Sequence, residues 1–213
     1  MDLKFKYCQM LNKIIALFLY SFCVCFVGRA YIYANPDVWV KARITYYFED
    51  NLVTQLNYLW NFDDFFSSRT IVKYDRNSNG IFESEELALL QREIFDPLSQ
   101  FNYHVNIWKE GNKLKKIMAK NFKARIQTKK LVFDFSIPLM PPADPGEGPL
   151  ITSLFDKKLV LDFSLFKKKF LIVKGFMRPS CKFQIKRGKR SQNFNQIVIF
   201  HLKIRKCFDF RKG

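Results

Sequence analysis

Histidine is nearly absent from this chain: His104 and His201 are the only two in 213 residues, far apart and each set among apolar neighbours. A zinc site or a histidine-based catalytic group needs further ligands or a nucleophile at a recognisable spacing, and neither histidine has them, so both read as packed or surface residues. No nucleophile motif, phosphate-cradling glycine loop or zinc spacing occurs. The pair Asp63-Asp64 offers two carboxylates, but it stands where a helical pattern begins and reads as a cap, not as an acid and a base. The expectation is a protein that is not an enzyme.

Long hydrophobic runs are also missing. The one candidate, residues 14–27, is shorter than the roughly 18 residues a membrane-spanning helix usually needs. It follows Lys4, Lys6 and Lys13 and ends at the small residues of Gly28-Arg29-Ala30, the layout of a secretory signal peptide, with cleavage expected after Ala30 or Ala34. No lipobox precedes Cys23 or Cys25. Residues 1–34 are thus expected to be removed, giving a periplasmic or secreted protein, with an uncleaved anchor as the alternative and membrane contact only through that segment. Removal takes three of the five cysteines, Cys8, Cys23 and Cys25, and leaves Cys181 and Cys207, either a disulfide or two free thiols.

Acidic residues are scarce beside basic ones, 19 against 36, for a formal net charge of +17. Such a charge attracts anionic surfaces at long range, yet no basic stretch carries a nucleic-acid-binding pattern, so no nucleic-acid partner is expected. What the chain does hold in quantity is phenylalanine, 24 residues, in a composition 48% apolar. That is enough core for one sizeable domain and excludes a wholly disordered chain.

Periodicity places the elements. Val38, Val40, Ala42, Ile44, Tyr46 and Phe48 alternate with polar or aromatic residues; Glu49-Asp50-Asn51 breaks the run; Leu52, Thr54, Leu56, Tyr58, Trp60 and Phe62 resume it. This predicts a β-hairpin. Asp63-Asp64 then caps a short helix, and Leu87, Leu90, Ile94 and Leu98 recur at helical spacing up to a stop or bend at Pro97. Short β-prone runs follow at residues 104–108, 121–127, 131–137, 159–165, 170–173 and 181–186. Residues 138–149, with Pro138, Pro141, Pro142, Pro145 and Pro149, predict an exposed loop outside regular structure. The fold class expected is mainly β (α+β), an immunoglobulin-like antiparallel sandwich over residues 35–186 with an inserted helix–loop–helix at about 63–98. Residues 187–213 form a basic tail, either a last strand or an unstructured extension.

Between the two helices lies the most specific motif, Asp75-Arg76-Asn77-Ser78-Asn79-Gly80-Ile81-Phe82-Glu83-Ser84-Glu85-Glu86. It matches the EF-hand loop. Calcium is a hard cation that takes oxygen ligands, and the pattern offers Asp75, Asn77 and Asn79 at the first, third and fifth places, the Ile81 carbonyl at the seventh, Glu83 at the ninth and Glu86 as the bidentate twelfth. Gly80 permits the sharp turn. With two neutral Asn ligands and no paired loop, the expected ion is a weakly held, structural Ca2+, with a dissociation constant on the order of 10⁻⁴ to 10⁻³ M.

The order of features resembles a bacterial periplasmic family described as the periplasmic component of an uncharacterised ABC-type transport system. The stretches that carry the likeness are Asn35-Pro36-Asp37-Val38-Trp39-Val40, Leu59-Trp60-Asn61-Phe62-Asp63-Asp64-Phe65-Phe66, residues 75–86, and Leu154-Phe155-Asp156-Lys157. In that family a His-Pro-His motif opens the first strand; here Asn35 and Asp37 replace both histidines, which weakens a transition-metal role. The resemblance implies an accessory or solute- or metal-binding component with an inner-membrane transporter as partner. The alternative is a secreted basic interaction protein that binds an anionic or host partner.

Overall fold

The computed structural model describes residues 37–156, 160–177, 181–186 and 201–204. All lie in one compact unit, Asn35–Gly213. The expected signal segment, its cleavage sites at Ala30 and Ala34, Asn35, Pro36, Lys157, Cys207 and most of the basic tail fall outside the described residues.

The chain opens with β1 (Val38–Glu49) and β2 (Leu52–Phe62), paired antiparallel around Asp50 and Asn51. Both turn residues have positive φ, 49° and 65°, the combination a two-residue hairpin turn requires and Asn and Asp tolerate. The six alternating residues of β1 predicted to face inward are all buried. In β2 the phase differs near the turn: Val53 is buried and Leu52 and Thr54 are only partly so, because a register shift between Val53 and Gln55 resets the alternation before Leu56, Tyr58, Trp60 and Phe62 fall into line.

Helix α1 (Asp64–Tyr74) follows, then a loop, then α2 (Ser84–Leu90), which runs on as a π-helical turn, Gln91–Phe95, and a 3₁₀ segment, Asp96–His104, kinked by non-helical backbone at Phe101, Asn102 and Tyr103. Pro97 stands at the start of that last segment. There the missing N–H costs nothing, so the helix changes character at the proline instead of ending. The remaining strands are β3 (Val105–Lys109), β4 (Asn112–Lys113), β5 (Lys120–Gln127), β6 (Lys130–Ala143), β7 (Leu150–Leu154), β8 (Leu161–Leu165), β9 (Leu171–Gly175), β10 (Phe183–Lys186) and β11 (His201–Ile204).

Among the described residues these strands make two sheets. One runs β5-β6-β2-β1-β8, with β9 also on β1; the other runs β10-β11-β7-β3-β4. The molecule is therefore mainly β. The first sheet is mixed, however, and not purely antiparallel: β8 lies parallel to β1 from Val38 to Ala42, and β9 continues parallel to it from Ile44 to Phe48. The last pairing requires Gly175, whose φ is +83° and whose missing Cβ would strike the carbonyl oxygen of Phe48. A second difference concerns residues 138–149. β6 runs through Pro138, Pro141 and Pro142 to Ala143, and Gln55 of β2 pairs with Pro138. The strand persists because β5 stops pairing at Ser136, which leaves β6 an open edge beyond it where a residue without an N–H interrupts no ladder. Third, β11 shows that the chain beyond Lys186 contributes a strand, set between β10 and β7.

The phenylalanines supply the core. Trp60, fully buried, packs edge-on against Phe135 and Phe163 at 5.1 and 5.0 Å between ring centroids. Phe95 stacks on Phe122 at 4.0 Å and on Tyr103 at 5.0 Å, carrying the aromatic packing from the sheet into the helical segment. Tyr46 in β1 shares a 2.7 Å hydrogen bond with Thr152 in β7 and meets the ring of Phe183, so the two sheets are joined through one buried tyrosine. Burial drives its hydroxyl pKa well up, which keeps it a neutral hydrogen-bonding group.

Candidate functional site

Two places concentrate polar chemistry. The first is the loop between α1 and α2. Asp63 begins the arrangement: Oδ1 accepts from Phe66 N at 2.9 Å, capping α1, and Oδ2 accepts from Trp39 N at 2.8 Å, so one carboxylate fixes the helix start to the start of β1. At the other end Asp75 is the cap residue, and its carboxylate folds into the loop, Oδ1 accepting from Asn79 N at 3.1 Å and Oδ2 from Gly80 N at 3.0 Å. Ser78 and Gly80 have φ of 55° and 82°. Alternating left-handed residues of this kind turn successive backbone N–H groups to one side of a tight loop.

The loop closes on Glu86. Oε1 accepts from Arg76 N at 2.8 Å and Oε2 from Glu83 N at 3.1 Å, the latter being the returning half of a capping box on α2. These backbone donors, that of Glu83 first, hold the Glu86 carboxyl below the usual range against the opposing effect of burial. Asn77 and Asn79 each use their Oδ1 on backbone N–H groups at Asn79 and Ile81, and Asn79 donates to Glu83 Oε1 at 3.0 Å. The structure thus gathers Asp75, Asn77, Asn79, Glu83 and Glu86 on one loop with the backbone of Ile81, whose side chain is exposed. Asp75 and Glu86 are 5% and 8% exposed, and among the described residues neither forms an ion pair with a Lys or Arg side chain. No three His, Cys, Asp or Glu side chains among the described residues converge as a ready metal-holding group.

The flanking helical segments are clipped together. Glu93 accepts from Lys73 Nζ and from Tyr74 Oη, both at 2.8 Å, which lowers its carboxyl pKa and raises that of the Lys73 ammonium. The loop therefore spans two elements whose separation is set beyond it.

The second place was not visible in the sequence. His104 ends the 3₁₀ segment and Asp156 follows β7; because β3 and β7 pair with Val105 opposite Leu154, and Phe155 N donates to His104 O at 2.8 Å, residues 52 positions apart become neighbours. His104 Nδ1 is 3.4 Å from Asp156 Oδ1, with both side chains buried. Burial pushes the imidazole pKa below its ordinary value, and the carboxylate opposes the shift only in part. Asp156 Oδ2 accepts from Val160 N and Leu161 N, each at 3.0 Å. His104, expected to be a packed or surface residue, is thus buried as half of a polar pair. The one signal for it was Asp156 itself, within the quoted stretch Leu154-Phe155-Asp156-Lys157. The side chain of His201 lies outside the described residues.

Cys181 is buried and disulfide-bonded; Cys207, its expected partner, lies outside the described residues. Among the described residues no helix is long and apolar enough to cross a membrane.

Comparison with curated proteins gives no match. A family model does match, over residues 19–200, which takes in both sheets nearly to β11 and both polar sites. The chain belongs to the protein family of unknown function DUF1007.

Proposed function

We propose that this is an exported, non-catalytic accessory component of a transport system, whose loop over residues 75–86 holds one calcium ion as a structural brace. The observation that carries the calcium reading is the pairing of two carboxylates, Asp75 and Glu86, at the two ends of the loop, both nearly buried, neither in an ion pair with a Lys or Arg side chain among the described residues, and both turned back onto the same short stretch of backbone. Each carboxylate accepts two backbone N–H bonds, which keeps it ionised on the loop, and a hard divalent ion is what such oxygens suit. Asn77, Asn79 and Glu83 would complete the shell with the Ile81 carbonyl. The transport part rests on the order of motifs from Asn35 to Lys157, and copurification of the exported chain with an inner-membrane permease tests it.

The calcium test uses linkage. An ion that binds the folded loop alone stabilises by RT ln(1 + [L]/Kd), so with Kd near ~10⁻³ M about 10 mM calcium adds roughly 1.4 kcal/mol. For a chain of this size that raises Tm by roughly 3–6 °C. Magnesium, which demands a tighter octahedral shell, does less. Glu86→Gln abolishes the response while the helix persists. Equal melting temperatures in calcium and in chelator refute the reading.

A further inference from the structure

Beside the His104–Asp156 pair lies a cavity of about 280 Å³. Its lining mixes polar residues, among them Gln100, Asn106 and Lys113, with Phe101, Phe155 and the His104–Asp156 pair itself. The volume corresponds to roughly nine water molecules at liquid density, room for a solute of about ten non-hydrogen atoms.

The backbone around it is strained. Asn102, Tyr103 and His104 are three consecutive left-handed residues with φ of 51°, 53° and 52°, a conformation disfavoured for any residue with a Cβ. Such a run survives only because its surroundings over-determine it. Asn102 Oδ1 accepts from Ile117 N at 3.0 Å and its Nδ2 donates to Lys115 O at 3.1 Å; Tyr103 is stacked on Phe95; His104 O receives Phe155 N. The outcome of that strain is the placement of one imidazole against one carboxylate at a cavity wall. Packing alone needs no such placement, since an apolar side chain would fill the position at lower cost.

The charges say what would enter. The Asp156 carboxylate is committed to the imidazole and to two backbone N–H groups, so it is not the ligand's partner. With Nδ1 facing that carboxylate, the neutral ring carries its proton there and keeps Nε2 as an acceptor. Lys113 is the cation of the described lining; its ammonium lies 5.4 Å from the Trp108 ring centroid, on the exposed strand β4. A ligand that satisfies both groups brings an anion for Lys113 and a hydroxyl to donate to His104, on an apolar body that meets Phe155 and Phe101, the latter stacked on the His104 ring at 5.5 Å. We infer that this cavity is a binding site for a small hydroxyl-bearing carboxylate, with Lys113 taking the carboxylate and His104, positioned by Asp156, taking the hydroxyl. The inference stands on the cavity and is independent of the calcium loop.

With two histidines in the chain, ring-labelled His104 is read directly by NMR, and His201→Gln assigns it. The probes are 4-hydroxybenzoate and lactate, with 4-hydroxybenzamide as the uncharged control, added to the purified full chain. At least one acid shifts the His104 ring resonances saturably with a Kd on the order of 1 mM. The amide binds at least tenfold more weakly, and Lys113→Met, a change on an exposed two-residue strand, weakens the acid to the same degree while the His104 resonance of the free protein stays in place. Absence of a shift with both acids overturns the inference. So does equal binding of acid and amide, or full binding by Lys113→Met.

Discussion

Replacing Asp63 tests how the loop-bearing helix is held. Its carboxylate makes two hydrogen bonds with different work: Oδ1 caps α1 through Phe66 N at 2.9 Å, and Oδ2 accepts from Trp39 N, the second residue of β1, at 2.8 Å. Loss of an N-cap to alanine costs about 1 kcal/mol. The second bond joins the backbone of a half-exposed residue, where water substitutes once the carboxylate is gone, so its loss adds about 1 kcal/mol, the size of an ordinary hydrogen bond and below that of a buried charged one. Asp63→Ala therefore destabilises by roughly 2 kcal/mol, a fall in Tm of about 4–8 °C for a chain of this length. Asp63→Asn separates the two contributions. Asparagine caps a helix as well as aspartate, but its amide nitrogen cannot accept from Trp39 N, so about half the loss returns. Thermal melts followed by circular dichroism, with calcium and with chelator, give both numbers and show whether the calcium increment survives, as it should, because Asp63 is not a proposed ligand. A drop under about 0.5 kcal/mol for Asp63→Ala would show that α1 is held by packing alone.

Other outcomes follow from the same geometry. His104 is neutral by burial, so the unfolded chain binds its proton more readily; its stabilising contribution is complete above the ordinary imidazole pKa near 6.5 and is lost as pH falls from there toward the lower folded value. Stability measured by denaturant titration should slope by at most about 1.4 kcal/mol per pH unit in that window from this one group, and His104→Gln should flatten the slope. Gly175→Ala should cost roughly 2–4 kcal/mol through the collision with Phe48 and the positive φ, read as a shift in urea midpoint with unchanged m. Thiol labelling of the unreduced, denatured protein should leave Cys181 unmodified, and a non-reducing peptide map should identify its partner.

What the sequence disclosed was local. The β1–β2 hairpin, the Asp63 cap and the helices around the loop each carry their signal within a dozen residues, as alternation, a capping carboxylate or helical spacing. What it hid depends on distant register. The parallel seating of β8 and β9 on β1 brings together positions more than a hundred residues apart, and a short apolar strand looks the same whichever way it pairs. The prolines of β6 read as loop because a strand's freedom to carry them depends on where its neighbour stops, which no local pattern states. The His104–Asp156 pair is a case of the same limit: neither residue's own segment points to the other, and the β3–β7 register brings them together.

The position of β11 bears on how the protein is made and broken. A strand from residues 201–204 sits inside the second sheet, between β10 and β7, instead of at its rim. Before those residues are available, β7 presents an open row of N–H and C=O groups on that side, and β10 has no neighbour among the described strands. A growing or proteolytically clipped chain that has formed both hairpins of the first sheet would still expose this slot, and an open strand edge recruits strands from other molecules. Four residues that follow every other described strand in the chain thus decide whether this edge of β7 is covered or open to strands from other molecules.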